Sequence, residues 1–107
     1  MALYELKYMY DWGCDTCVWC LNESAYQKFD GYIHLEVLPI SPELRQWLSC
    51  LCTRHNGALN WADPASGLAW STEEQETFRE DAYRAYEQLC KELGEEYSVH
   101  FREEWVI

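Results

Sequence analysis

Apolar and polar side chains alternate near both ends of this chain, which is the pattern of a strand with one buried face. In residues 3–12, one side of the alternation collects large apolar and aromatic residues: Tyr4, Leu6, Tyr8, Tyr10 and Trp12. Residues 97–102 alternate in the same way. A shorter apolar run over residues 32–38 is closed by Pro39, a residue that a strand interior disfavours. The sequence therefore predicts three strands, over residues 3–12, 32–38 and 97–102.

Two further segments carry the spacing of amphipathic helices. The first follows Ser41-Pro42-Glu43, which supplies an N-cap residue, a proline suited to the first helical position and an acid near the positive helix end. Its apolar face consists of Leu44, Trp47, Leu48, Leu51 and His55. The second follows Ser71, which forms a capping box with Glu74. Its apolar stripe consists of Phe78, Ala82, Tyr86, Leu89 and Leu93.

Residues 14–30 and 59–70 show neither periodicity and are predicted to be irregular loops. The resulting order is strand, loop, strand, helix, loop, helix, strand. Such an order predicts a single domain over residues 1–107 of the α+β class, with a small sheet of about three or four strands and two helices packed on one face. Because 49% of the residues are hydrophobic, this domain can form a core without disulfides.

The charge of the chain limits its partners. Nineteen acidic residues against eight Lys and Arg give a net charge of −11, and eleven of the acids lie in residues 72–107. A protein that binds nucleic acid or an anionic membrane needs cationic side chains, so neither partner is expected. The first residues lack the basic start and apolar run of a signal peptide, and no stretch is long enough for a transmembrane helix. We therefore expect a cytoplasmic protein, in a compartment that keeps thiols reduced.

Three of the six cysteines lie close together, in what we call the triple-cysteine segment: Cys14, Cys17 and Cys20. Two Cys-x-x-Cys steps can place thiolates on a zinc ion or an iron–sulfur cluster, but both kinds of site need a fourth ligand. The remaining cysteines and histidines do not repeat the spacing of such a site. Reduced thiols that fill small apolar gaps are the simpler interpretation. A metal site is therefore an alternative only, and no cofactor is expected.

No group of residues predicts catalysis. A cysteine nucleophile needs a positioned histidine and a third group that orients it, and the sequence nominates no such set. The chain also lacks a phosphate-binding glycine loop and a nucleophilic serine elbow. We therefore predict that the protein is not an enzyme.

Tryptophans and acidic residues together suggest a surface that binds another protein. The chain has six tryptophans, and several stand near carboxylates in the sequence. Tryptophan rings supply binding energy at interfaces, while Asp and Glu attract a basic partner. The candidate contact residues are Asp11, Trp12, Trp19, Asn60, Trp61, Asp63, Trp70, Glu73 and Glu74. The alternative is that the tryptophans close one end of the core and the acids form a solvated helix face.

Several short segments resemble a family of bacterial proteins. They are Leu-Lys-Tyr-Met-Tyr-Asp-Trp-Gly-Cys at 6–14, Leu-Pro-Ile-Ser-Pro-Glu-Leu at 38–44, Leu-Asn-Trp with Asp-Pro at 59–64, and Trp-Ser with Glu-Glu and Phe at 70–78. The end of the last helix, with Glu-Leu-Gly at 92–94, and the strand after it also fit. In this order the segments resemble the small immunity proteins of polymorphic-toxin and contact-dependent growth inhibition loci.

The resemblance implies an immunity protein that binds a cognate toxin in the cytoplasm and occludes the toxin's active site. The acidic charge suggests that this toxin is basic, for example a nuclease whose substrate groove accepts carboxylates in place of phosphates. Two alternatives stay open. One is a small metal- or iron–sulfur-binding protein that uses the triple-cysteine segment, and the other is an acidic adaptor or regulatory domain that binds a different protein.

Overall fold

The computed structural model of the protein describes residues 2–106, which form three strands and three α-helices. The strands are β1 (Tyr4–Tyr8), β2 (Val18–Cys20) and β3 (Tyr97–Phe101). The helices are α1 (Glu23–Phe29), α2 (Pro42–Gly57) and α3 (Thr72–Leu93). Short 3-10 turns lie at Leu35–Val37, Pro64–Ser66 and Glu103–Trp105.

Strand β1 is the centre of a mixed sheet with the order β2-β1-β3. It runs antiparallel to β2, with Tyr8 opposite Val18, and parallel to β3, with Tyr8 opposite Phe101. Parallel neighbours need a long crossover connection, and here the crossover contains all three helices. The predicted α+β class, with a small sheet of three strands, is confirmed.

The prediction of a strand over residues 32–38 is wrong. This segment makes one isolated bridge, between Tyr32 and Trp19, and then enters the 3-10 turn Leu35–Val37. Its apolar character has another cause, because Ile33, Leu35 and Leu38 are all buried in the core. The run of apolar residues therefore reflects burial without strand pairing.

Residues 14–30, predicted to be an irregular loop, contain β2 and α1. Strand β2 has only three residues, too few to show a period. Helix α1 begins after Asn22, whose side-chain oxygen accepts a hydrogen bond from the Ala25 N–H at 3.0 Å. It ends at Asp30, whose φ of 65° lies in the left-handed region. The fold therefore has one more helix than the two predicted.

Both long helices begin where their capping residues predict. The Ser41 hydroxyl accepts from the Leu44 N–H at 3.1 Å. The Ser71 hydroxyl accepts from the Glu74 N–H at 3.1 Å, and the Glu74 carboxylate accepts from the Ser71 N–H at 3.4 Å, which completes the capping box. These bonds satisfy N–H groups that the first helical turn leaves free, and each cap contributes about 1 kcal/mol.

The core lies between one face of the sheet and the helices. Leu6 and Tyr8 of β1 are fully buried, and the Tyr8 hydroxyl donates to the Ala82 carbonyl of α3 at 2.8 Å. The buried side chains of α2 and α3 are Leu44, Leu48, Leu51, Cys52, His55, Phe78, Ala82, Ala85, Leu89 and Leu93. Helix α1 adds Phe29, which packs edge-on against Tyr4. This packing brings the C-terminal end of α2 beside the N-terminal turns of α3.

Candidate functional site

Two of the predicted tryptophans form hydrogen bonds with the C-terminal end of α2. The Trp12 indole N–H donates to the His55 carbonyl at 3.0 Å, and the Trp61 indole N–H donates to the Asn56 carbonyl at 2.7 Å. The last four carbonyls of a helix lack i+4 partners within the helix, and the Trp61 indole supplies a donor for that of Asn56. The His55 carbonyl accepts from the Ala58 N–H at 3.0 Å as well as from the Trp12 indole. Both indole rings stay accessible, with Trp12 36% and Trp61 57% exposed. Both indoles are therefore held in fixed orientations at the surface.

Asn56 joins α2 to the turn that follows β1. Its side-chain oxygen accepts from the Gly13 N–H at 2.6 Å, and its side-chain amide donates to the Cys14 carbonyl at 3.0 Å. Gly13 has a φ of 83°, a conformation that favours glycine. These bonds fix the turn that carries Asp11 and Trp12. The sequence predictions missed Asn56, because both of its side-chain bonds reach residues more than 40 positions away in the chain.

The loop from residue 59 to residue 70 presents Trp61 and Asp63. Its ends are tied by a bridge between Leu59 and Leu68. Near the start of the loop the Asn60 side-chain oxygen accepts from the Ala62 and Asp63 N–H groups at 3.1 and 3.3 Å. Asn60 therefore organises the loop, while Trp61 and Asp63 are exposed.

A continuous aromatic layer connects Trp12 to the third tryptophan of this region, Trp70. Trp12 stacks on His55 with ring centroids 4.7 Å apart, His55 lies 5.8 Å from Phe78, and Trp70 lies 5.1 Å from Phe78. Trp70 is half-buried by this contact. Trp70 thus packs against the core, as the alternative interpretation expected, whereas Trp61 is 57% exposed and does not close the core.

A groove of about 380 Å³ runs beside Trp70, between the end of α2 and the start of α3. Glu73, Glu74 and Thr77 line one side of it and Arg54 lines the other. The Arg54 guanidinium is already engaged, since its Nη1 lies 2.8 Å from a carboxylate oxygen of Asp81. Glu74 is used in the capping box, whereas the carboxylate of Glu73 forms no ion pair within residues 2–106.

We call the accessible part of this region the α2-end surface, which consists of half-buried Trp70 and six exposed residues: Asp11, Trp12, Trp61, Asp63, Glu73 and Glu74. Its four carboxylates form no ion pair within residues 2–106. Three indoles thus stand among four unpaired negative charges. Such an arrangement can bind a cationic, partly apolar protein surface.

His55 lies beneath this surface in an apolar environment. Its side chain is 2% exposed, and Nδ1 has no hydrogen-bond partner among the described residues. Burial lowers the pKa of His55 from 6.5 to about 4, and the nearby Asp11 carboxylate offsets only part of this shift. The ring is therefore neutral at pH 7. It serves as an apolar support for Trp12, in keeping with its predicted place on the apolar face of α2.

Trp19, the ninth candidate, lies apart from the α2-end surface. It stands on β2, where its indole N–H donates to the Met9 carbonyl at 2.8 Å and its ring packs edge-on against Tyr32. Within residues 2–106, no hydrogen bond or ring contact joins Trp19 to the other candidates. The structure therefore brings eight of the nine candidates to one end of the molecule.

Within residues 2–106, the three thiols of the triple-cysteine segment do not form a metal-binding group. Cys17 and Cys20 are buried and Cys14 is half-buried. Burial, reinforced by the neighbouring Cys52, raises the pKa of Cys17 well above its usual range, which disfavours the thiolate that binds metals. Across residues 2–106, no three His, Cys, Asp or Glu side chains are arranged to hold a metal ion. The metal-binding alternative thus gains no support from the structure.

The helices of residues 2–106 include none long and apolar enough to cross a membrane. A family model described as Serratia CdiI immunity protein-like matches residues 4–104, which include the whole sheet, all three helices and every residue of the α2-end surface. None of the curated proteins matches the chain.

Proposed function

The chain belongs to the Serratia CdiI immunity protein-like family, and from this premise we propose that it binds a cognate toxin domain and neutralises it by occluding the toxin's active site. Family membership implies a toxin as the partner. In this proposal the protein inhibits by binding and performs no catalysis. Neutralisation takes place in the cytoplasm, where the six free thiols stay reduced.

The observation that carries the proposal is the α2-end surface itself. Trp12 and Trp61 donate hydrogen bonds to helix carbonyls, so their rings are ordered before a partner arrives. Binding then costs less conformational entropy than it would with free side chains, which favours affinity. Exposed tryptophans of this kind are typical anchors of protein interfaces.

Charge indicates the kind of toxin. Asp11, Asp63, Glu73 and Glu74 are exposed and unpaired within the described residues, and the whole chain carries a net charge of −11. A negative surface speeds the encounter with a basic partner and fixes its orientation. We propose a nuclease domain as this partner, because a groove that binds phosphates through Lys and Arg also attracts carboxylates.

The test uses the toxin domain encoded with this protein, and measures both binding and protection of cells that express the toxin. The disruptive variant combines Asp63→Lys and Glu73→Lys with Trp61→Ala. Its matched control combines Glu95→Lys and Glu96→Lys, which change the net charge equally at exposed positions beyond the far end of α3. We expect the disruptive variant to lose at least a hundredfold in affinity, by loss of a tryptophan anchor and two charges, and to lose protection.

The control variant should keep protection, with a slower association rate from its reduced charge. Equal losses in both variants would mean that only net charge matters, and the location of the binding surface would then be wrong. If the wild-type protein binds no toxin but captures a different protein through the same residues, the adaptor alternative would replace the proposed function.

A further inference from the structure

A second accessible aromatic site lies on the other side of α3, in a groove of about 690 Å³ between this helix and the C-terminal segment. Tyr83, Phe101 and Val106 form its apolar part. Val106 is buried and Phe101 is half-buried, whereas Tyr83 is 48% exposed. An exposed aromatic ring beside an apolar cavity can receive an apolar side chain from a partner.

The aromatic floor of this groove is rigid. Phe101 stacks on Tyr86 with ring centroids 5.0 Å apart, and Tyr83 packs edge-on against Phe101 at 5.8 Å. The Tyr86 hydroxyl donates to the Val99 carbonyl at 2.9 Å, which ties the stack to β3. A partner would therefore meet a preformed surface that loses little entropy on binding.

The rim of the groove is acidic. Glu80, Glu103 and Glu104 stand against a single lining cation, Arg79. Glu80 and Glu103 have no ion-pair partner within residues 2–106, whereas Glu104 pairs with Arg102, with an oxygen 3.7 Å from Nη1. A cationic side chain entering this groove would meet an aromatic face and carboxylates together.

We propose that this groove is a second docking site, which receives a toxin segment that carries an apolar side chain followed by Lys or Arg. The identity of the partner rests on the proposed function, while the chemistry of the segment rests on the groove alone. Glu73 of the α2-end surface and Tyr83 are ten residues apart on α3, a rise of about 15 Å. One toxin domain can therefore cover both sites in an interface of ordinary size.

The chemistry can be tested without the toxin. The probe is the acetylated dipeptide amide Leu-Arg, titrated into isotopically labelled protein at low salt and followed through backbone amide NMR shifts. We expect saturable shifts around Tyr83 and Phe101 at millimolar probe, and no such shifts with Leu-citrulline or Gly-Arg, which lack the charge and the apolar side chain respectively. Shifts that appear only at Trp61 and Trp70, or equal shifts with all three dipeptides, would overturn the assignment.

A second experiment tests whether the toxin binds in this groove. Tyr83→Ala removes the exposed ring, and Tyr26→Ala removes a ring of similar exposure on α1, 52%, that lies outside both sites. We expect Tyr83→Ala to weaken toxin binding about tenfold and Tyr26→Ala to leave it unchanged. If toxin binds and Tyr83→Ala has no effect, the second docking site is wrong and the proposed function stands. If the dipeptide binds the groove and the toxin binds nowhere, the groove chemistry holds but a toxin is not its partner, which overturns the proposal.

Discussion

Protonation of His55 should destabilise the folded protein in mild acid. The ring is packed between Trp12 and Phe78, it is 2% exposed, and its Nδ1 has no hydrogen-bond partner among the described residues. Burial lowers the pKa of this side chain from 6.5 to about 4. Because the pKa is lower in the folded state, the unfolded chain binds the proton first as the pH falls. The contribution of neutral His55 to the free energy of unfolding is therefore intact above pH 6.5. It falls between pH 6.5 and about pH 4.

The magnitude follows from the pKa difference. Each pH unit between the two pKa values costs about 1.4 kcal/mol, so the free energy of unfolding should fall by about 2 kcal/mol between pH 7 and pH 5 because of His55 alone. Replacing the ring by His55→Phe keeps an aromatic side chain and removes the proton site. Any packing effect that is the same at both pH values cancels in the comparison of the two.

The assay is urea unfolding followed by far-ultraviolet circular dichroism at pH 7 and at pH 5, for the wild type, His55→Phe and the control His34→Asn, which changes an exposed histidine. The wild type and the control should lose the same free energy on acidification. His55→Phe should lose about 2 kcal/mol less. An equal loss in all three proteins would refute the argument that His55 is neutral and buried beneath the α2-end surface.

Three further predictions concern the fold and the thiols. Tyr8→Phe removes a hydroxyl that bonds the Tyr10 hydroxyl at 2.7 Å and the Ala82 carbonyl at 2.8 Å, so the free energy of unfolding in urea should fall by about 1–3 kcal/mol; an unchanged value would mean that these buried bonds contribute nothing. Ser71→Ala removes the N-cap of α3 and should cost about 1 kcal/mol in the same assay, and no loss would contradict the role of the capping box. Protein purified without a metal-binding tag should contain less than about a tenth of an equivalent of zinc or iron by elemental analysis, whereas a full equivalent would restore the metal role of the triple-cysteine segment.

The elements that could be predicted from the sequence are those fixed by local chemistry. The starts of α2 and α3 depend on Ser41 and Ser71, whose hydroxyls bond N–H groups three residues away. The alternation over residues 3–12 is long enough to show the period of a strand, but β1 itself ends at Tyr8, so its predicted C-terminal bound is wrong. Strand β2 is only three residues long, and α1 has just seven, so neither repeats often enough to be recognised.

The candidate site could be predicted in composition but not in geometry. Trp12 bonds a carbonyl 43 residues away, a contact that no local pattern specifies. Nothing in the sequence near Trp19 distinguishes it from the other candidate tryptophans. Pairing of β2 with β1 nevertheless places it outside the α2-end surface. The role of Asn56 depends on the same long-range packing, because both of its side-chain bonds reach the turn after β1.

Amide hydrogen exchange of this protein, free and bound to the toxin domain encoded with it, tests the central claim most directly. We expect slowed exchange on binding in residues 11–14, 59–63 and 70–77, which carry the α2-end surface. Because Trp12, Trp61 and Glu73 are exposed in the free protein, a partner that covers them would slow the local opening on which exchange of the neighbouring amides depends. Failure to form a complex, or protection confined to α1 and β2, would contradict the proposal that this surface binds and neutralises a toxin.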